Sequence, residues 1–117
     1  MLRKMLKSKI HGLTVTETAL FYQGSLTLDR ALLDNADMLP GEMVLVVNLN
    51  NGARFETYII EAPPGSGTAC LNGPTARLGE VGDKIHVISY AYLEPAEYSA
   101  VNPIVLNVDA ANRPVAT

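Results

Sequence analysis

The sequence has few of the features that mark several common classes of protein. Cys70 is the only cysteine, which excludes an internal disulfide and a metal site built from several thiolates. No stretch approaches the roughly 18 apolar residues of a membrane-spanning helix, so we expect no membrane partner. The basic residues near the start are not followed by the apolar run of a secretory signal. Together these absences lead us to expect a cytoplasmic protein.

Positive charge and clustered metal ligands are also scarce. Nine lysine and arginine residues are outnumbered by twelve acidic ones and the pI is about 5.2, so nucleic acid is not an expected partner. The two histidines, His11 and His86, have no clustered carboxylates beside them, so no metal site is expected. The sequence also lacks a phosphate-binding glycine loop, a dinucleotide fingerprint and the Ser-His-Asp order of hydrolases.

Apolar residues, by contrast, are plentiful. The 117 residues are 48% hydrophobic, which is enough for one well-filled core but leaves no room for a second. We therefore expect residues 1–117 to form a single domain. Apolar residues beyond those that a small core can hold predict contacts between subunits.

Short segments rich in β-branched and aromatic residues predict a mainly β fold. Turn signals separate them, among them Asn51-Gly52, which is typical of a tight two-residue hairpin. Many short strands without long strand–helix alternation favour a small, closed or nearly closed β-barrel with short helices. The predicted strands cover 13–16, 25–28, 43–49, 53–61, 68–71, 84–93 and 104–108, and the predicted helices cover 30–38, 74–78 and 95–100.

The Gly24-Ser25 pair interrupts one of these strand-like segments. Glycine weakens a strand unless the backbone must bend or approach another group closely at that point. A serine after such a glycine can turn its hydroxyl onto the preceding carbonyl, which is the geometry for cutting the chain there. A second copy, Gly65-Ser66, lies between prolines and a glycine and is interpreted as an ordinary loop.

The segment after Asn51-Gly52 carries candidate binding residues. Strand alternation sets Arg54 and Tyr58 on one face and Thr57 on the other. A planar guanidinium is suited to holding a carboxylate, and a tyrosine two pleats along can deliver a proton. The same pattern would also arise from a solvent-facing strand with a cross-strand ion pair.

Two further groups of residues have two interpretations each. Lys9 and His11 would share one side of an extended chain, either in a site or as a solvated basic end. Asn72, ahead of Gly73-Pro74, would orient a carbonyl or an oxyanion, or would simply form a turn.

Six segments occur in one order and spacing: MLKSKIH (5–11), TVT (14–16), YQGSLTLD (22–29), NGARFETY (51–58), NG (72–73) and VGD (81–83). Together they resemble the aspartate 1-decarboxylase family, the pyruvoyl enzymes that make β-alanine for pantothenate. The likeness runs from about residue 3 to about residue 113.

The resemblance implies a double-psi β-barrel that assembles as a homotetramer and acts on L-aspartate. It implies self-cleavage between Gly24 and Ser25 into a β fragment (1–24) and an α fragment (25–117). Ser25 would become a pyruvoyl group that forms a Schiff base with the substrate, so neither a metal nor pyridoxal phosphate is expected. In the family, cleavage is assisted by Thr57 and the carbanion is protonated by Tyr58. The implied substrate-binding residues are Lys9, Arg54, Thr57, Asn72, Gly73, Pro74 and Thr75, with His11 and Tyr22 in support.

The charge on the departing carboxylate indicates which carboxylate of the substrate Arg54 should hold. A cation on the departing α-carboxylate would stabilise the ground state, where charge is concentrated, more than the transition state, where it disperses. We therefore predict that Arg54 holds the side-chain carboxylate of the substrate, with Lys9 nearby.

The chain departs from the family pattern at Gly12, Phe21 and Pro74-Thr75, where Arg, His and Ala-Ala are usual. Pro74 has no backbone N–H, so any ligand contact made through that amide is lost here. Two alternative functions remain open. One is the same chemistry on another small amino acid such as glutamate, and the other is a barrel that never matures and serves as a binding module.

Overall fold

A computed structural model describes residues 1–22 and 24–115. Within them, strands and three short helices surround one apolar core, which confirms the predicted mainly β fold. The strands are β1 (Arg3–Thr14), β2 (Glu17–Ala19), β3 (Ser25–Asp29), β4 (Met43–Asn48), β5 (Arg54–Ala62), β6 (Ala69–Asn72), β7 (Lys84–Leu93) and β8 (Ile104–Asn107). The helices are α1 (Arg30–Ala36) and two 3₁₀ helices, Gly73–Arg77 and Pro95–Ala100.

The strands form one mixed sheet in the order β2-β6-β3-β5-β4-β7-β1-β8. β5 connects the two halves, because its first residues pair with β4 and its last residues with β3. Only two residues separate β1 from β2 in the chain, yet these strands lie towards opposite ends of the sheet order. The sheet must therefore curl back on itself, which is compatible with a small double-psi barrel.

Hydrogen bonds hold the two ends of the curled sheet together. The backbone N–H of Thr16 donates to the carbonyl of Ala69 at 2.8 Å. The buried side chain of Asn112 donates to the carbonyls of Thr14, at 2.8 Å, and Gly67, at 2.9 Å, and accepts from the Thr14 N–H at 2.8 Å. These bonds satisfy buried polar groups on both sides of the gap between β1 and β6.

The first strand is much longer than the predicted strand 13–16. Basic residues interrupt the apolar alternation there, but Lys7 and Lys9 lie on one face while Ser8 and Ile10 are buried on the other. β1 pairs with β7 along most of its length and with β8 in its middle. Cross-strand pairing therefore extends the strand where apolar alternation alone indicated none.

The Asn51-Gly52 hairpin is present, but its loop is wider than the predicted two residues. β4 ends at Asn48, whose side chain accepts hydrogen bonds from the backbone N–H groups of Asn50 and Asn51. This side-chain cap stabilises a longer loop, in which Gly52 takes a positive φ of 76°.

Asp29 connects the end of β3 to two other parts of the fold. Its buried carboxylate caps α1 by accepting from the N–H of Ala31 at 2.8 Å. It also accepts from the N–H groups of Gly65 and Gly67, at 2.9 Å each. The predicted helix 30–38 therefore begins as expected, although it ends at Ala36, and the loop around the second Gly-Ser pair is fastened to β3.

Replacing Asp29 by alanine should destabilise the fold by about 2–4 kcal/mol, because three backbone N–H groups lose their acceptor. The matched control is Asp34→Ala on the same helix, which removes an exposed ion pair with Arg30 and should cost less than about 0.5 kcal/mol. Urea unfolding at one fixed protein concentration measures both. Equal losses in the two variants would contradict the role given to Asp29.

Candidate active site

One face of the β3–β6 pair carries four polar side chains. The antiparallel register sets Ser25 opposite Asn72 and Thr27 opposite Cys70. Because side chains alternate along a strand, all four point to the same face, while the intervening residues of both strands pack into the core. Ser25, Cys70 and Asn72 are buried, and Thr27 is partly so.

The side chain of Asn72 organises this polar face. Its amide nitrogen donates to the hydroxyl of Ser25 at 3.0 Å and to that of Thr27 at 2.7 Å. Its carbonyl oxygen accepts from the thiol of Cys70 at 3.1 Å. A hydrogen-bond donor is thus directed at the side-chain oxygen of Ser25, immediately after the peptide bond from Gly24.

The turn that follows β6 packs against the Gly24-Ser25 segment. Gly73 has a φ of 64°, and a Cβ added to it would lie 2.6 Å from the carbonyl oxygen of Tyr22 and 2.8 Å from the nitrogen of Gly24. Only glycine fits this close approach. The hydroxyl of Thr75 lies 2.7 Å from the carbonyl oxygen of Asn72 and 3.3 Å from that of Ser25.

Pro74 lies directly beside Gly24. A Cβ added to Gly24 would sit 3.5 Å from Cδ of Pro74, an ordinary van der Waals contact. The proline occupies the start of the first 3₁₀ helix, where a backbone N–H has no partner within the helix. The departure from the family pattern at this position therefore places an apolar ring against the Gly24 backbone.

Tyr58 lies on the same face of the sheet as Ser25, the face away from the apolar core, which we call the outer face. The parallel register pairs Thr27 with Ile60, and Tyr58 precedes Ile60 by two residues, so both β5 side chains point to the Thr27 side. Thr57 is buried on the opposite face, as the predicted alternation requires. Arg54 is on the face of Tyr58 but four residues away, about 13 Å along the strand.

Lys9 lies on the same outer face of the sheet, four strands from Ser25 in the hydrogen-bonded strand order. The register links Lys9 to Ile88, Ile88 to Leu45 and Leu45 to Glu56 in one row across the sheet. The path from β1 to β3 along this order is four strand spacings, about 19 Å.

His11 and His86 form a stacked pair next to Lys9, with ring centroids 4.0 Å apart. Nδ1 of His86 accepts a hydrogen bond from the N–H of Gly12 at 3.0 Å. Burial lowers the pKa of His86, and the positive charges of His11 and Lys9 lower it further. Gly12 has a φ of 78° at an irregularity of β1, so glycine at this position suits the local backbone.

The model of one protein family, described as aspartate decarboxylase, matches residues 1–115. The chain belongs to the aspartate decarboxylase family. This confirms the family expected from the sequence and the assignment of the chain as a carboxy-lyase.

Relatives named aspartate 1-decarboxylase are similar in sequence over almost the whole length of this chain. The one from Thermoanaerobacter pseudethanolicus is 54% identical over 115 residues, covering 98% of each chain. The one from Pelotomaculum thermopropionicum is 55% identical over 109 residues, covering 93% of this chain and 83% of the relative. The one from Chloroherpeton thalassium is 56% identical over 108 residues, covering 92% and 79% respectively.

The structure brings together only part of the set of site residues predicted from the decarboxylase family. Around Ser25 it gathers Gly24, Asn72, Gly73, Pro74 and Thr75, with Tyr58 on the adjacent strand. Arg54, Lys9 and His11 lie elsewhere on the outer face, and Thr57 faces the core. The side chain of Tyr22 is mostly exposed, and only its carbonyl approaches Gly73.

Three polar contacts of the site were not predicted. Thr27 and Cys70 bond to Asn72, and their spacing of two residues from Ser25 and Asn72 was the available signal. His86 accepts a hydrogen bond from the backbone and also stacks on His11, a contact that no local pattern indicated.

In residues 1–22 and 24–115 no group of three or more His, Cys, Asp and Glu could hold a metal ion. None of the helices described there is long and apolar enough to cross a membrane.

His86 should titrate below the ordinary histidine pKa of about 6.5, because its charged form is disfavoured in the folded chain. Lys9→Gln should raise this pKa without restoring the ordinary value, since burial is the largest cause. Lys7→Gln is the control, because Lys7 is paired with Glu42 instead. NMR titration of the two histidines measures each value, and an unshifted His86 would contradict this account.

The lowered pKa of His86 also determines how the stability of the fold changes with pH. The unfolded chain binds a proton at His86 more readily than the folded chain, so this residue costs stability as pH falls from about 6.5 through the lower folded pKa.

Proposed function

We propose that the chain cleaves itself between Gly24 and Ser25 and then converts L-aspartate to β-alanine and CO₂, the supply of β-alanine for pantothenate and coenzyme A. The observation that carries this proposal is the Asn72 amide, 3.0 Å from the Ser25 hydroxyl, beside a glycine turn that packs on the Gly24 backbone. The second support for the proposal is that the chain belongs to the aspartate decarboxylase family.

The maturation we propose needs only the chain and water. The Ser25 oxygen attacks the Gly24 carbonyl carbon, the peptide C–N bond breaks, and the hydroxyl proton moves to the released amine, which leaves an ester. Loss of the Cα proton of residue 25 and cleavage of its Cβ–Oγ bond give a Gly24 carboxylate and dehydroalanine. Water then replaces the amino group, which leaves as ammonia, and a pyruvoyl group remains on residue 25.

The surroundings suit each step. The Asn72 N–H can stabilise the negative charge that develops on the Ser25 oxygen as the Cβ–Oγ bond of the ester breaks. Leu26 pairs with Ile59, and extending this register two residues back beyond the ladder would set Thr57 opposite Gly24. From there its hydroxyl would approach the scissile peptide from the core side, which supports the assisting role predicted for Thr57.

The same residues fit a pyruvoyl group at position 25. Asn72 offers a donor where an oxygen of that group would lie, and the turn at Gly73 leaves room for no side chain. A pyruvoyl carbonyl supplies an electron sink for the loss of CO₂, which is the role of an organic cofactor elsewhere. Tyr58, on the neighbouring strand and the same face, would deliver the proton to the product carbon.

A second copy of the chain would complete the site. Lys9 is four strands from Ser25 in the sheet order and Arg54 lies about 13 Å along β5 from Tyr58, so we infer that a neighbouring chain brings some of these side chains to a small substrate. The outer face also exposes large apolar side chains, among them Met43 and Tyr92. We propose that these faces join in a homotetramer, in which a neighbouring subunit supplies the side chains missing from each site, including Lys9 and His11.

Self-cleavage predicts two fragments, 1–24 and 25–117, in denaturing mass spectrometry of incubated wild-type protein. Ser25→Ala should give one species near 12.6 kDa and no decarboxylation, because it has no nucleophile. Ser25→Thr is the control that keeps a hydroxyl and should still cleave, more slowly. A wild-type chain that remains intact and inactive would favour the binding module instead, and an intact chain with full activity would contradict the pyruvoyl mechanism.

Arg54→Gln should lower kcat/KM for aspartate by about 10- to 100-fold, because a charge-assisted bond to the side-chain carboxylate is lost. Asparagine lacks that carboxylate, so its slower turnover should change by less than about threefold. Arg113→Gln, an exposed arginine near the end of the chain, is the control. Equal losses for both substrates would place Arg54 on the α-carboxylate.

Wild-type assays with glutamate test the alternative that the chain acts on another small amino acid, since one methylene changes kcat/KM by only about 10- to 200-fold.

A further inference from the structure

We propose that Cys70 is a positioning residue whose thiol fixes the orientation of the Asn72 side-chain amide, so that an N–H and not a carbonyl oxygen faces the Ser25 hydroxyl. The consequence for cleavage rests on the proposed function. The hydrogen-bond arrangement itself rests on the β3–β6 geometry alone.

An amide has two ends of nearly equal shape, and something must decide which end points to Ser25. The hydroxyl of Thr27 can donate or accept, so it suits either orientation of Asn72. The thiol of Cys70 can donate, though weakly, and an amide oxygen can only accept. Its contact with the amide oxygen, at 3.1 Å, therefore selects the orientation in which the nitrogen faces both hydroxyls.

The surroundings keep the thiol in its donating form. Burial raises the pKa of Cys70, and the negative charge of Glu17 raises it further, so the S–H persists at neutral pH. Cys70 also stands directly across the ladder from Thr27, which sets its sulfur on the polar face beside Asn72 and not in the leucine core. A small apolar filler would need neither feature.

The orientation matters because negative charge develops on the Ser25 oxygen when the Cβ–Oγ bond of the ester breaks and this oxygen leaves as part of the Gly24 carboxylate. With the nitrogen towards this oxygen, the Asn72 N–H stabilises that charge. With the amide reversed, the oxygen of Asn72 would face the developing carboxylate and repel it. Cys70 acts on this step only through Asn72, without touching the reacting atoms.

Three substitutions separate positioning from packing. Cys70→Ala and Cys70→Val both remove the donor, and valine also fills the volume of the sulfur, so each should slow self-cleavage about three- to tenfold. Cys70→Ser restores a donor and should cleave within about twofold of the wild type. In an Asn72→Ala background, Cys70→Ala should add no further loss, because its effect passes through the amide.

These rates, measured by denaturing mass spectrometry of freshly made precursor, can overturn the inference in two ways. If valine cleaves like the wild type while serine does not, Cys70 is a packing residue. If the alanine penalty persists without Asn72, the thiol acts by another route.

A second measurement does not depend on cleavage. Because Cys70 is the only cysteine, the S–H stretching band in a Raman spectrum reports on this thiol alone. In a Ser25→Ala precursor, which stays whole, the band should lie at lower frequency than in the Ser25→Ala, Asn72→Ala double variant. Equal frequencies in two folded samples would overturn the inference. An intact wild-type chain with a shifted band would instead count against the proposed function and leave the positioning of Asn72 supported.

Discussion

The antiparallel pairing of β3 with β6 is the constraint on which the site depends. It sets Ser25 opposite Asn72, buries both, and turns their polar groups to the face away from the leucine core. A shift of one residue would reverse every side chain on β3, bringing Leu26 to the polar face and Ser25 into the core. The hydrophobic core and the reactive serine are therefore specified by the same register.

The sequence predicted the elements near this pairing well. Alternation correctly separated Thr57 from Arg54 and Tyr58, and helix α1 begins at Arg30, where the predicted helix 30–38 begins. The family, and with it the reaction class, followed from six short segments read together. None of those segments was decisive when taken by itself.

The features that the sequence did not predict depend on contacts between distant parts of the chain. β1 was underestimated because Lys7, Lys9 and His11 occupy its outer face, and only pairing with β7 and β8 makes the segment a strand. The stacking of His11 on His86 joins residues 75 positions apart, which no local pattern reports. The bonds from Asn72 to Thr27 and Cys70 likewise require the β3–β6 register, which residue types alone do not set.

The position of the Gly24–Ser25 peptide at the very start of β3 has a consequence for the chain's integrity. A break at that peptide would fall at the end of the β3–β6 ladder, so the strand pairs from Leu26 onwards would keep their partners. β1, on the shorter piece, is held between β7 and β8, while the new terminus at residue 25 lies against Asn72 of β6 and the next residue is paired with both β5 and β6. Two polypeptides would then persist as one folded body, with the freshly made chain end immobilised inside the sheet instead of fraying into solvent.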